Sequence, residues 1–262
     1  MKIIVCIKQV PGSNKVDIDE TTGVLKRDGA EAKMNPYDLY AIETAVRLKE
    51  MTGGQVTAVT MGPNQAEEMM REAYMMGVDD AYIFSDRKFA GADVLATAYT
   101  LSQGIRAIGD FDLIVCGRQT TDGDTAQVGP AIAEYLDIPH TAWVGGISSA
   151  DEVGIVVSQD LVDITQEARM NFPCLITVEK DIFTPRLPSY KLKLQTKDRK
   201  VNILTFKDFK DQNEKNYGLS GSATNVERIF SPKVSDNHIY FEGTSGDKTD
   251  ALYAMLSEKK YI

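Results

Sequence analysis

Four short apolar runs, each followed by a stretch with helical spacing, constrain this chain more than anything else in it. They cover residues 2–10, 55–61, 81–85 and 111–117. The first and last are apolar along nearly their whole length, the pattern of strands buried on both faces of a parallel sheet. Asn35-Pro36-Tyr37-Asp38 opens the first helix, with Asn as N-cap, Pro at N1 and an acid at N3. Leu39, Ile42, Ala45 and Val46 recur at helical spacing, and Gly53-Gly54 ends the helix. Asn64 begins a second helix with Glu67 as its capping-box partner. It carries Met69, Met70, Met75 and Met76, expected to pack on the sheet, and closes at Gly77. Gly91-Ala92-Asp93 leads into a third helix ending near Gly109, and residues 124–136 form a fourth after a polar turn. The stretch with Gly12, Gly23 and Gly29 reads as a loop or small hairpin.

This order predicts an α/β fold: a Rossmann-like, mostly parallel sheet with helices on both faces. After about residue 140 short strands at 143–147, 154–158 and 174–179 extend the sheet instead of starting another βα unit. From about residue 201 the chain is polar and irregular, with a turn region at 218–224 and a helix at 248–260. Such a tail has little core of its own and is expected to pack on another chain. The expected division is a nucleotide-binding domain over 1–200, with an exposed loop at 184–192, and a C-terminal arm over 201–262.

Composition removes several functions. A formal net charge of −9 argues against a nucleic-acid surface. A late basic cluster (Lys191, Lys193, Lys197, Arg199, Lys200) reads equally as a local patch or a solvated hairpin. No run reaches the roughly 18 apolar residues of a membrane span. The opening MKIIVCIKQV passes straight into a strand pattern, so it reads as no signal peptide and a cytoplasmic address is expected. Cys6, Cys116 and Cys174 lie in apolar segments without a CxxC pair, so neither an iron–sulfur cluster nor zinc has a ligand set. They read as buried reduced thiols. His140 and His238 have no partner motif, so catalysis centred on histidine is unsupported and reactivity is expected to come from a cofactor.

Ligands of open α/β sheets bind at the carboxyl ends of the strands. The most informative such end is followed by GRQTTDGDTAQVGP. Its glycines Gly117, Gly123 and Gly129 allow close backbone approach, Thr120, Thr121, Thr125 and Gln127 add neutral donors, and a helix N-terminus follows. Asp122 and Asp124 suit ribose hydroxyls or turn capping better than a bare phosphate. Spacing alone leaves both a nucleotide site and an elaborate turn open. The loop matches neither GxGxxG nor GxxxxGK[ST], which disfavours ordinary Rossmann dehydrogenases and P-loop enzymes. A second candidate is RKFAGADVLAT at 87–97, where Gly91 and Ala92 precede a helix and Arg87 and Lys88 add charge. A plain helix start explains it as well.

The VCIKQVP opening, NPYD, TMGP, the GRQ…DGDTAQVGP loop, EARMNFPCLITVEKDIFTPR and the 221–226 segment together resemble electron-transfer flavoprotein β subunits, over essentially the whole chain. The resemblance implies an adenine-nucleotide site at Cys6, at Asn35, Pro36, Tyr37 and Asp38, and at Met61. It continues through Gln119, Thr120, Thr121, Asp122, Gly123, Asp124, Thr125, Ala126, Gln127, Val128, Gly129 and Pro130. Thr120-Thr121 depart from the small apolar residues of many relatives, and Ala223 from a frequent proline. The family's docking loop matches TPRLPSYK, implying Arg186, Leu187, Pro188 and Tyr190 as the surface for a partner dehydrogenase.

DGDTAQVGP and FAGADxxAT look like the electron-bifurcating subclass. That likeness implies FAD as cofactor and NADH as electron donor, the latter beside Arg87, Phe89, Gly91, Ala92, Asp93 and Thr97. It further implies an α subunit carrying a second FAD, with electrons divided between ferredoxin or flavodoxin and a flavin-dependent dehydrogenase of acyl-CoA, enoyl-CoA or lactate type. Such a chain would be catalytic only with its α subunit and the dehydrogenase. The alternative is a simple carrier, a non-bifurcating β subunit that binds AMP.

Overall fold

The computed structural model describes residues 1–12, 32–161, 163–227 and 238–262. Strand β1 (Lys2–Cys6) is followed by β2 (Gln9–Pro11) and β3 (Ala32–Met34), which pair antiparallel as a small separate ribbon. The apolar run at 2–10 is therefore two strands. The loop or hairpin expected around Gly23 and Gly29 lies outside the described residues.

Helix α1 (Pro36–Thr52) leads to β4 (Gln55–Met61), α2 (Glu67–Met75) and β5 (Asp80–Phe84). Then come α3 (Val94–Ile108), β6 (Leu113–Gly117), α4 (Val128–Leu136), β7 (His140–Ala150), β8 (Gly154–Asp160), β9 (Thr165–Asn171), β10 (Cys174–Val178), α5 (Tyr190–Gln195) and β11 (Asn202–Leu204). Most of these elements lie where the sequence pattern placed them, and the others differ for local reasons. The Asn64–Glu67 capping box is not formed: one 3-10 turn, Asn64–Ala66, precedes α2, and its N-terminus has no side-chain cap. β9 has no counterpart in the sequence expectations because TQEARMN lacks apolar alternation, being a solvated edge strand.

The large sheet runs β11-β5-β4-β1-β6-β10-β7-β8-β9. Pairing is parallel from β11 to β7 and antiparallel from β7 to β9. Alternate residues of each strand feed two cores, as the period of two requires. Ile3 and Val5 of β1 join α1 and α2 on one face, with Met69, Met70 and Met76 buried there. Ile4 faces α3 and α4 on the other, with Leu101, Ile105 and Ile132. The mostly parallel sheet covered on both faces is thus present.

Residues 201–227 are better packed than their composition suggests. β11 adds a parallel edge strand beside β5, and Phe206, Phe209 and Tyr217 are buried in the α3/α4 core. Phe209 stacks on Phe89 at 5.3 Å between centroids. The chain divides into two compact units, 1–227 and 228–262. In the second, α6 (Ser245–Glu258) starts at a Thr244–Asp247 capping box, earlier than the sequence pattern indicates. Among the described residues no helix is long and apolar enough to cross a membrane.

Candidate functional site

The sheet order creates its crevice between β1 and β6. The chain leaves β1 toward α1 on one face and leaves β6 toward α4 on the other, so the two outgoing connections diverge there. That is the topological switch point of an open α/β sheet.

Asn35 joins the two sides. Its position before Pro36 makes it the N-cap of α1, but its side chain makes no cap hydrogen bond. Instead Nδ2 donates to Asp38 Oδ1 and to the Gln119 carbonyl, each at 2.9 Å, and Oδ1 accepts from the Thr121 N–H at 3.2 Å. The residue is fully buried, so each of these bonds replaces water it cannot reach. Asp38 Oδ2 accepts from the Lys8 N–H at 2.7 Å. Burial pushes the Asp38 carboxyl up to about 7, against the hydrogen bonds from Asn35 and Lys8 that favour its charged form. Gly117 is required at the end of β6, because a Cβ there would collide with this carboxylate and with the Tyr37 backbone. The Lys8 ammonium spans the mouth of the crevice to both oxygens of Asp122 at 2.8 Å.

The fourth helix begins at Val128, later than the sequence pattern indicates. Asp124 and Ala126 have φ of 52° and 54°, left-handed conformations that cannot propagate a helix. For two non-glycine residues this is stored strain of the sort that clusters at ligand sites. The side chain of Gln119 donates to Asp124 and helps hold the turn. Gln127 leaves the first turn of α4 without a side-chain cap, so Val128 and Gly129 present backbone N–H groups there while Pro130 has none. Thr121, Asp122, Gly123, Asp124, Thr125 and Gln127 are exposed, Thr120 half-buried. Free backbone donors, three threonine hydroxyls and an aspartate already matched to a lysine fit a ribose-phosphate group better than a metal or a bare anion.

The structure brings together most residues expected at a nucleotide site. Cys6 ends β1 in register with Cys116 of β6, half-buried, and their contact with burial raises the Cys116 thiol well above its usual range. Met61 ends β4 next door. The second group stands apart: Arg87, Phe89, Gly91, Ala92, Asp93 and Thr97 lie at the end of β5, with β4 between them and β1. Phe89 is 4% exposed and buried among Phe209 and Tyr217. Asp93 caps α3 through the Ala96 N–H at 3.0 Å and accepts from the N–H and hydroxyl of Thr224 at 2.8 and 3.0 Å. Gly91, at φ 73°, rests on Leu219. Arg87 is exposed.

The third group lies after β10. Leu187 is 86% and Tyr190 72% exposed, while the Arg186 guanidinium turns inward to Glu43 and Glu50. Sequence reasoning passed over Lys8, Glu43 and Arg118. Lys8 had a signal, being the cation at the end of the first strand. Arg118 packs 4.5 Å from the Trp143 ring centroid and pairs with Glu179 at 2.7 Å, contacts between distant segments that no local pattern reveals.

A family model, the electron transfer flavoprotein domain, matches residues 22–208. The chain is 42% identical to the electron transfer flavoprotein subunit beta of Thermoanaerobacterium thermosaccharolyticum, 40% to the caffeyl-CoA reductase-Etf complex subunit CarD of Acetobacterium woodii, and 39% to the acryloyl-CoA reductase electron transfer subunit gamma of Anaerotignum propionicum. Each alignment covers 100% of both chains.

Proposed function

From the premise that this chain belongs to the electron transfer flavoprotein family, we propose that it is the β subunit of a bifurcating complex and holds FAD in the β1/β6 crevice. The observation that carries the site is Asn35, which ties the start of α1 to the Gln119–Thr121 backbone across the switch point. Bound there, FAD would accept hydride from NADH and divide the electron pair between ferredoxin or flavodoxin and, through the α-subunit FAD, a flavin-dependent dehydrogenase. This chain's residues bind and orient: α4 and the threonines receive the ribose-phosphate portion, Asp122 presents a carboxylate to ribose hydroxyls, and Lys8 supplies the nearest positive charge. Two relatives named as subunits of caffeyl-CoA and acryloyl-CoA reductase complexes support service to a CoA-ester dehydrogenase. Leu187 would dock that dehydrogenase, the C-terminal arm would pack on the α subunit, and the complex would work in the cytoplasm.

The carrier alternative, with AMP in the same crevice, is favoured by one observation. Phe89 and Asp93, the aromatic and the acid of the FAGAD segment, are engaged in internal packing and capping. Both readings share the crevice, so the site is tested by substitution. Thr125→Trp, in the exposed turn, should cost most of the bound nucleotide in the purified heterodimer, while Leu187→Ala should leave it unchanged. Full nucleotide content in Thr125→Trp counts against the site.

A further inference from the structure

One stripe of α1 grips the segment that precedes Leu187. Tyr40, Glu43, Arg47 and Glu50 are spaced three or four apart and share a face. The Tyr40 hydroxyl donates to Asp181 at 3.2 Å, and the Arg47 guanidinium lies 4.7 Å from the Phe183 ring centroid. Glu43 accepts from the Arg186 N–H at 3.0 Å, from Arg186 Nε at 2.7 Å and from Arg47 Nε at 2.7 Å. Arg186 Nη1 also reaches Glu50 at 2.7 Å. The Glu43 side chain is only 3% exposed, so this is a buried carboxylate of α1 held between the guanidinium of Arg47, on the same helix, and that of Arg186, on the loop.

A link whose only task was to join β10 to α5 would not need to anchor on a buried carboxylate, because taking such a charge out of water costs about as much as its ion pairs return in attraction. The network fixes backbone instead. On the other side of Leu187, the Ser189 N–H donates to the Met75 carbonyl at 2.8 Å and the Ser189 hydroxyl caps α5. Pro185 and Pro188 restrict the residues between these two anchors. What emerges is an exposed leucine with Tyr190 and Leu194, 72% and 55% exposed, following it in sequence, on a segment anchored at both ends.

We propose that Glu43, acting through Arg186, is a positioning residue that pre-orders Leu187 for the partner dehydrogenase. This rests on the docking reading given above. Arg186 on this account does not touch the partner; its guanidinium is occupied with α1. Preorganisation of this kind lowers the ordering cost of association and shows in affinity, not in turnover.

The test uses the whole heterodimer with its dehydrogenase, measuring KM for the dehydrogenase and kcat, with FAD content as a control. Glu43→Gln should raise KM about tenfold and leave kcat and nucleotide content unchanged, as expected when an ordered loop becomes mobile. Arg186→Lys, which keeps the charge but loses the forked geometry, should do the same, and Glu50→Gln, at an exposed position, should raise KM by a smaller factor. In a Leu187→Ala background Glu43→Gln and Arg186→Lys should add nothing. An undiminished effect in that background, or an unchanged KM in the single variants, overturns the clamp. A normal KM for Leu187→Ala alone overturns the docking reading on which it stands. Should Glu43→Gln fail to fold, Arg186→Lys and Glu50→Gln carry the same comparison.

Discussion

Two adjacent side chains, Asn35 and Asp38, hold the ends of β1 and β6 in register with α1. Asn35→Ala removes three hydrogen bonds from a buried position and leaves the Thr121 N–H and the Gln119 carbonyl without that partner. It should destabilise the protein by about 1–3 kcal/mol and lower nucleotide affinity more than stability alone would explain. Denaturant unfolding and nucleotide titration on the same preparation check both. Asp38 predicts a pH effect. Its folded carboxyl sits at about 7 against 3.8 when free, so the stability it confers is complete below 3.8 and disappears as pH rises through 7. The melting temperature of the nucleotide-free heterodimer should therefore fall between pH 5 and 8, with Asp38→Asn flattening the slope. An unaltered slope in the variant contradicts that assignment.

At the scale of elements, α1 serves both the crevice and the exposed loop after β10. Its N-terminus organises the crevice and its Glu43–Glu50 stripe holds the segment before Leu187. The N-terminus of α3 offers a sharper choice. If Asp93 is a cap and a tie to Thr224, Asp93→Ala should cost about 1–2 kcal/mol of stability. NADH reduction at a temperature where the variant is folded should then be normal. Slow reduction there would give Asp93 a direct role toward NADH. The strands and helices were legible because burial imposes a period on sequence. The Asn35 bridge was half legible: N-P-Y-D announces a helix start, but nothing local shows that the Asn side chain points across the crevice. The left-handed Asp124 and Ala126 hide in a sequence whose glycine lies elsewhere, so the helix was placed too early. Glu43 reads as an ordinary surface residue of an amphipathic helix; its burial exists only once Arg186, 143 residues away, is folded against it.

At the scale of the whole molecule, the proposed function assigns the redox chemistry to a cofactor and leaves this chain to bind and orient it. In a chain of net charge −9, the proposed site gives phosphate the α4 N-terminus and Lys8, whose charge is shared with Asp122. Lys8→Met should thus weaken nucleotide binding and reduce its salt dependence, measurable by titration at two ionic strengths, whereas an unchanged salt dependence would place the phosphates elsewhere. Under the proposed function the crevice of this subunit carries a flavin able to take hydride from NADH. The most direct measurement is a nucleotide count on the purified heterodimer, followed by anaerobic titration with NADH. Two FAD per heterodimer, both reduced by NADH, is the predicted result. One FAD with one AMP would contradict it and make this chain the β subunit of a simple electron carrier.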